Sequence, residues 1–125
     1  MSEKICLFAG TTEGRRMAEI LHGAADLTVC VATEYGEIML DGIKNISIHT
    51  GRMDAGEMEK FFAENRFDRI IDATHPYAEA VTENIRLAAA ASNVPVMRVL
   101  REIYFLGERS LSGDYMRRLY PRRLT

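Results

Sequence analysis

Hydrophobic residues along this chain fall into short unbroken runs, separated by stretches in which they recur every three or four positions. Ile5-Cys6-Leu7-Phe8-Ala9 is the first run and ends at Gly10. Unbroken apolar runs of this length belong to strands covered on both faces, as in parallel sheets. Leu27 to Ala32 is a second such run, Asn45 to His49 alternates Ile46 and Ile48, Phe67 to Asp72 carries Ile70 and Ile71, and Val94 to Val99 is entered through Pro95. Between the first two runs, residues 13–22 put Met17, Ala18, Ile20 and Leu21 on one helical face, and Gly23 stops the pattern. Asp54 is placed to cap a helix that carries Met58, Phe61 and Phe62 at helical spacing. Residues 77–92 predict an Ala-rich helix with Ala80, Val81, Asn84, Leu87 and Ala88 along one side, and Pro76 predicted to set its entry at the first helical position. Residues 36–44 form a longer connection with no periodicity that defines it. After Arg101 the alternation fades, and residues 102–125 show no convincing strand and only a short helical pattern around 112–119.

Strand and helix thus alternate. The expected fold class is α/β, one domain built on a Rossmann-like parallel sheet of about five strands with flanking helices and right-handed crossovers. That domain is expected over residues 1–103, followed by an irregular basic tail over 104–125.

Composition narrows the picture. At 125 residues, 47% hydrophobic and 27% charged, the chain has the length of one domain and enough buried surface to fold without a disulfide or metal staple. A net charge of −2 gives no general attraction to nucleic acid or to an anionic membrane, so neither partner is expected. No run of 18 apolar residues is present in the sequence. The charge is uneven, however. Residues 1–109 carry 12 Lys and Arg against 17 Asp and Glu, a net of −5, whereas Arg117, Arg118, Arg122 and Arg123 stand against Asp114 in residues 110–125, a net of +3. Cys6 and Cys30 lie inside apolar runs, and Met1-Ser2-Glu3-Lys4 lacks the basic and apolar regions of a signal peptide; two buried thiols then point to the reducing cytoplasm. Neither cysteine has further ligands at metal spacing, so no metal site is expected.

In an open parallel sheet, ligands bind outside the carboxyl ends of the strands, where strand order reverses. Each predicted strand here leads into polar or glycine-bearing residues: Gly10-Thr11-Thr12-Glu13-Gly14, Thr33-Glu34-Tyr35-Gly36, Thr50-Gly51-Arg52, Ala73-Thr74-His75-Pro76-Tyr77 and Leu100-Arg101-Glu102. Gly10 permits a tight turn and close backbone approach, the helix start that follows offers unpaired N–H groups to an anion, and Thr11 and Thr12 add hydroxyls. With only Gly10 and Gly14 present, this is not the G-x-G-x-x-G fingerprint. A tight turn capped by Thr11 or Thr12 is the structural alternative. Glu34 lies about 20 residues beyond that turn, where dinucleotide folds place an acid on the ribose 2′-hydroxyl, a position that favours NADH over NADPH; Arg15 and Arg16 are the residues that would instead hold a 2′-phosphate. His75, beside Thr74 and Tyr77, faces the cleft in this arrangement, while His22 and His49 have no such setting. Arg52 and Arg101 each follow a strand and suit a carboxylate or phosphate.

Taken together, Gly10 to Arg15, Val31 to Gly36, Gly51-Arg52, Asp72 to Ala78 and Arg101-Glu102 resemble the successive motifs of the precorrin-6A reductase family of corrin-ring biosynthesis. The Thr-Glu-Tyr-Gly form and the Arg-Glu pair look more like its anaerobic branch, which acts on cobalt-precorrin-6A. The resemblance runs from about residue 4 to 102 and implies hydride transfer from NADH or NADPH to a ring double bond of the macrocycle. It implies that Gly10, Thr11, Thr12, Glu13 and Gly14 hold the cofactor pyrophosphate, with Thr33 and Glu34 near its ribose and Thr74 beside the nicotinamide. His75 and Tyr77 are then the candidate catalytic residues, as proton donors, and Arg52, His75 and Arg101 the candidate substrate-binding residues for a tetrapyrrole bearing carboxylates. The family has two Rossmann-like halves of which this chain resembles the first, so a missing C-terminal domain or self-association is expected, with weak turnover from the chain alone. Leu111 to Thr125 does not resemble the family's continuation and reads as a truncated or frame-shifted end. The alternatives are a non-catalytic nucleotide- or tetrapyrrole-binding domain and, less well supported, a flavodoxin-like module, which would carry clustered acids after the first strand.

Overall fold

The apolar runs become strands because helices cover both of their faces. The computed structural model describes residues 3–100 in full and the backbone of residues 103–106 and 109–111. Its strands β1 (Lys4–Phe8), β2 (Asp26–Val31), β3 (Ile46–Thr50), β4 (Arg69–Asp72) and β5 (Val96–Leu100) are parallel and stand in the order β3-β2-β1-β4-β5. The helices are α1 (Thr12–Leu21), α2 (Glu34–Ile38), α3 (Ala55–Asn65) and α4 (Glu79–Ala91). Alternate strand residues feed two cores. Ile5, Leu7, Val29 and Ile71 pack with Met17, Ala18 and Leu21 of α1, and Cys6, Phe8, Cys30 and Ile70 pack with Met58 and Phe62 of α3 and Ile85 and Ala88 of α4. The chain lays β1, β2 and β3 outward in one direction, then returns to place β4 on the other side of β1. Strand order therefore reverses between β1 and β4, and the loops after these two strands meet there.

Local chemistry sets the helix starts. Thr11 caps α1 by accepting the Gly14 amide at 3.0 Å. Asp54 and Glu57 form a reciprocal capping box at α3, with Glu57 N to Asp54 Oδ1 at 2.8 Å and Asp54 N to Glu57 Oε1 at 3.1 Å.

Three expectations are corrected. Pro76 does not open α4: the helix starts at Glu79 after Ala78, which provides no side-chain cap. The His75-Pro76-Tyr77-Ala78 segment forms a turn of its own, closed by Ala78 N to His75 O at 2.9 Å, so one extra turn separates strand from helix. The undefined connection over 36–44 overlaps the end of a short helix, α2, whose N-cap is Thr33. Finally, the chain beyond Arg101 is not irregular throughout. β6 (Ile103–Leu106) and β7 (Arg109–Leu111) extend the sheet antiparallel, with Leu100 opposite Ile103 and Leu106 opposite Arg109. β6 thereby crosses the boundary expected at residue 103. A short connection permits antiparallel pairing without a crossover helix, so these strands lack the helix alternation that marks the others. The helical pattern expected around 112–119 lies outside the described residues.

Cys6 and Cys30 approach at 3.6 Å between sulfurs, both as free thiols. Burial, reinforced by the Cys30 contact, pushes the Cys6 thiol well above its ordinary value of 9.0. The folded chain therefore keeps this proton at a pH where the unfolded chain releases it. The corresponding stability is fully present below about pH 9 and is lost as pH rises beyond it, by at most about 1.4 kcal/mol per pH unit. Urea unfolding between pH 7 and 10 is expected to show this alkaline decline in the native chain and a flatter profile in Cys6→Ala. Parallel profiles would contradict it.

Candidate functional site

Two loops meet at the switch point, and one hydroxyl joins them. Thr11 Oγ1, which accepts the Gly14 amide, also donates to the Ala73 carbonyl at 2.7 Å. Gly10 has φ +129°, and a side chain added there would meet no atom within 4 Å, so the backbone borders open space. Behind it, Gly14 is buried, and a Cβ there would lie 2.7 Å from Ala9 Cβ and 2.8 Å from Ala9 Cα. A bare glycine thus lets the first turn of α1 sit directly on the end of β1. The first-turn amides of Thr12 and Glu13 have no acceptor inside the helix. With Gly10 and Thr11 they line one wall of a cavity of about 440 Å³, and Thr74, His75, Pro76 and Tyr77 line the other.

The second turn repeats the device. Thr33 accepts the Gly36 amide at 3.4 Å, and a Cβ on Gly36 would lie 2.9 Å from Val31 Cβ. In each case the glycine lies five residues after the strand-end residue that it touches. Glu34 is exposed in the first turn of α2, but neither it nor Thr33 lines the cavity. Arg15 is committed elsewhere: it pairs with Glu19 at 2.8 Å and donates to the carbonyls of Met39 and Asp41. It therefore pins the segment after α2.

The loop after β4 carries the densest chemistry. His75 Nδ1 accepts the Tyr77 amide at 3.1 Å, so the neutral imidazole carries its proton on Nε2. The two rings lie 5.2 Å apart, and Tyr77 is 86% exposed. Thr74, His75 and Tyr77 also border a second cavity, of about 500 Å³, on the α3 and α4 side of the sheet, where Phe8, Val31, Met53 and Met58 form apolar walls. Arg52 stands at its edge, exposed, with no hydrogen-bond or ion-pair partner among the described residues.

The structure brings Gly10, Thr11, Thr12 and Glu13 together with Thr74, His75 and Tyr77, and brings Arg52 to the other side of the same loop. Arg101 lies outside the described residues. Sequence reasoning missed Arg98 and assigned no role to Asp72. Arg98 Nη1 pairs with Asp72 Oδ1 at 3.0 Å, with the two side chains 17% and 2% exposed. A charge inside the otherwise apolar strand Val96-Met97-Arg98-Val99-Leu100 was the available signal. Among the described residues no group of three or more metal-ligating side chains forms a metal site, and no helix is long and apolar enough to cross a membrane.

The family described as precorrin-6x reductase CbiJ/CobK matches residues 4–116. The cobalt-precorrin-6A reductase of Salmonella typhimurium is 34% identical over 98 residues, covering 78% of this chain and 37% of that protein. The cobalt-precorrin-6A reductase of Priestia megaterium is 33% identical over 98 residues, covering 78% of this chain and 38% of its own length. The chain thus spans less than two fifths of either relative. Among solved structures, CobK precorrin-6A reductase superposes with a TM-score of 0.67 at 22% identity, over 79% of this chain and 38% of that one. A UDP-N-acetylglucosamine 4-epimerase from Methanobrevibacter ruminantium superposes at 0.56 with 14% identity, over 75% of this chain and 36% of that one. These two structural likenesses speak for the fold.

Proposed function

The chain belongs to the precorrin-6x reductase family CbiJ/CobK, and from that premise we propose that it serves the nicotinamide-dependent reduction of precorrin-6A or its cobalt form in corrin-ring biosynthesis, as the cofactor-side domain of such a reductase. The observation that carries this reading is the cavity at the switch point, walled by Gly10 to Glu13 on one side and Thr74 to Tyr77 on the other. The residues fit a dinucleotide. Gly10 borders open space, the amides of Thr12 and Glu13 are free to meet a pyrophosphate, and among the described residues no arginine or lysine lines this cavity, so backbone N–H groups serve the anion. Glu34, exposed in the first turn of α2 outside the cavity, would meet the ribose diol of a dinucleotide that extends beyond it and would repel a 2′-phosphate, which together with the commitment of Arg15 favours NADH over NADPH.

When bound, the cofactor supplies the hydride. The protein's own residues orient it and manage a proton. Thr74, His75 and Tyr77 border both cavities, so the same three residues would meet the dinucleotide on one side and a macrocycle edge on the other. Arg52 binds a carboxylate of that macrocycle at the rim, with Arg101 as a second carboxylate ligand. The single proton that the ring takes up beside the hydride would come from His75, whose Nδ1 is engaged by the Tyr77 amide, from the Tyr77 hydroxyl, or from water. A second domain or a second copy completes the cleft above the exposed Tyr77, and a reductase fed by a diffusible nicotinamide works in the cytoplasm.

Thermal unfolding with each cofactor tests the reading. NADH is expected to raise Tm, since a ligand that binds only the folded chain stabilises it, and to do so more than NADPH. Gly10→Val carries strain at φ +129° but is expected to fold and to lose at least about tenfold in NADH affinity, because its side chain enters the open space. No shift with either nucleotide at millimolar concentration would defeat the cofactor assignment. NADH oxidation with cobalt-precorrin-6A then separates a reductase from a binding domain without turnover.

A further inference from the structure

We propose that Arg98 is a positioning residue, which shapes the Thr74–Tyr77 loop for the dinucleotide by gripping that loop's main chain; the cofactor part of this statement rests on the reading above. Five acceptors converge on its guanidinium. Nη1 reaches Asp72 Oδ1 at 3.0 Å, the Asp72 carbonyl at 3.2 Å, the Thr74 carbonyl at 2.9 Å and Thr74 Oγ1 at 3.3 Å, and Nη2 reaches the His75 carbonyl at 3.4 Å. A single partner, Asp72, balances the charge. The others include the Thr74 carbonyl, which belongs to neither ladder nor helix, and the His75 carbonyl, which also accepts the Ala78 amide that closes the turn.

Asp72 works on the same loop from the other side. Its Oδ1 accepts the Thr74 amide at 3.0 Å and the Thr74 hydroxyl at 2.6 Å. Thr74 is thus held by its N–H, its hydroxyl and its carbonyl, and His75 by its carbonyl, by the buried Asp72 and the partly buried Arg98 on adjacent strands. An ion pair this buried contributes little net stability compared with an apolar pair of the same volume, so stability alone does not account for it. What the planar fork supplies, and an ammonium cannot, is a pair of nitrogens held in fixed directions, with the two N–H groups of Nη1 shared among Asp72 and Thr74 and Nη2 directed at the His75 carbonyl. Arg98 lines neither cavity, so its action on a ligand passes through the loop.

Arg98→Lys separates positioning from charge balance, because lysine retains the contact with Asp72 and loses the fork. The variant is expected to fold, to bind NADH about tenfold more weakly, and to exchange the Tyr77 and Ala78 amides at least about tenfold faster while the β4 and β5 ladder amides keep their protection. A pair that served only stability would accelerate ladder and loop amides together. Unchanged loop protection with unchanged NADH affinity in folded Arg98→Lys overturns the proposal, as does a uniform acceleration. If that variant fails to fold, the charge-free pair Arg98→Met with Asp72→Asn is measured in its place, with the same loop-specific acceleration expected. Should the native chain itself fail to bind NADH, the cofactor reading falls, and the exchange pattern alone decides the role of Arg98 on the loop.

Discussion

Asp72→Ala is expected to lower the stability of the chain by about 3–5 kcal/mol, the cost of stranding a buried charge. Asp72 is 2% exposed and Arg98 17%, so little water is available to replace the lost carboxylate. The same substitution removes the acceptor for the Thr74 amide, leaving that N–H without its partner, and leaves the Thr74 hydroxyl to Thr82 and Arg98. Against a total of roughly 5–15 kcal/mol for a domain, this loss removes about a fifth or more of the stability, and a fall in Tm on the order of 10–20 °C accompanies it. Urea unfolding followed by circular dichroism measures it. A loss under about 1 kcal/mol would mean that the pair is solvated in solution. Adding Arg98→Met to Asp72→Ala is expected to recover part of the loss, since the penalty lies in the stranded charge and the second change removes that charge.

Gly14→Ala is expected to destabilise by about 3 kcal/mol, and the sign is the diagnostic part. Gly14 lies within α1, and in an exposed helix interior alanine is better than glycine by about 1 kcal/mol. Packing reverses that preference. The new methyl would sit 2.7 Å from Ala9 Cβ and 2.8 Å from Ala9 Cα, and because Cα is backbone it cannot rotate aside. Helix α1 must move off β1, which costs overpacking energy and shifts the Thr11 hydroxyl that ties the two loops together. Differential scanning calorimetry of Gly14→Ala beside Ala9→Gly with Gly14→Ala checks this. Partial recovery is expected in the double variant, because only the Cβ contact is relieved. A stabilised single variant would show that α1 has room to shift. Gly36→Ala meets a similar obstacle at Val31.

The strands and the loops that carry chemistry were legible in the chain. Ile5 to Ala9 and Leu27 to Ala32 read as strands because a strand covered on both faces tolerates few polar positions. The turn after the first strand was legible as a helix start capped by Thr11 or Thr12, and Asp54 with Glu57 as a helix start of the same kind, whereas the matching Thr33 cap of α2 was not. What escaped notice had a weaker local pattern. Strand β6 follows a short connection instead of a helix, and its four apolar residues, Ile103 to Leu106, stand in a segment otherwise read by its charge. The entry to α4 was misread because Pro76 suits a first helical position, whereas here it sits in a separate turn closed on the His75 carbonyl. Arg98 was passed over since its partners lie 24 and 26 residues earlier, a separation that carries no periodic signal.

The sequence by itself determined that the chain makes a parallel α/β sheet, that its polar chemistry gathers after the strands, and which family it resembles. These are properties of local pattern: burial writes hydrophobic periodicity, and caps and glycines punctuate it. Tertiary structure alone decided that β4 returns beside β1, so that Thr11 meets Ala73 across 62 residues. It also decided that Arg15 props the segment after α2, that Gly14 is needed for contact with Ala9, and that Asp72 and Arg98 hold the histidine loop between them. Each of those depends on which strands become neighbours, and neighbours are chosen by the packing of whole faces against each other.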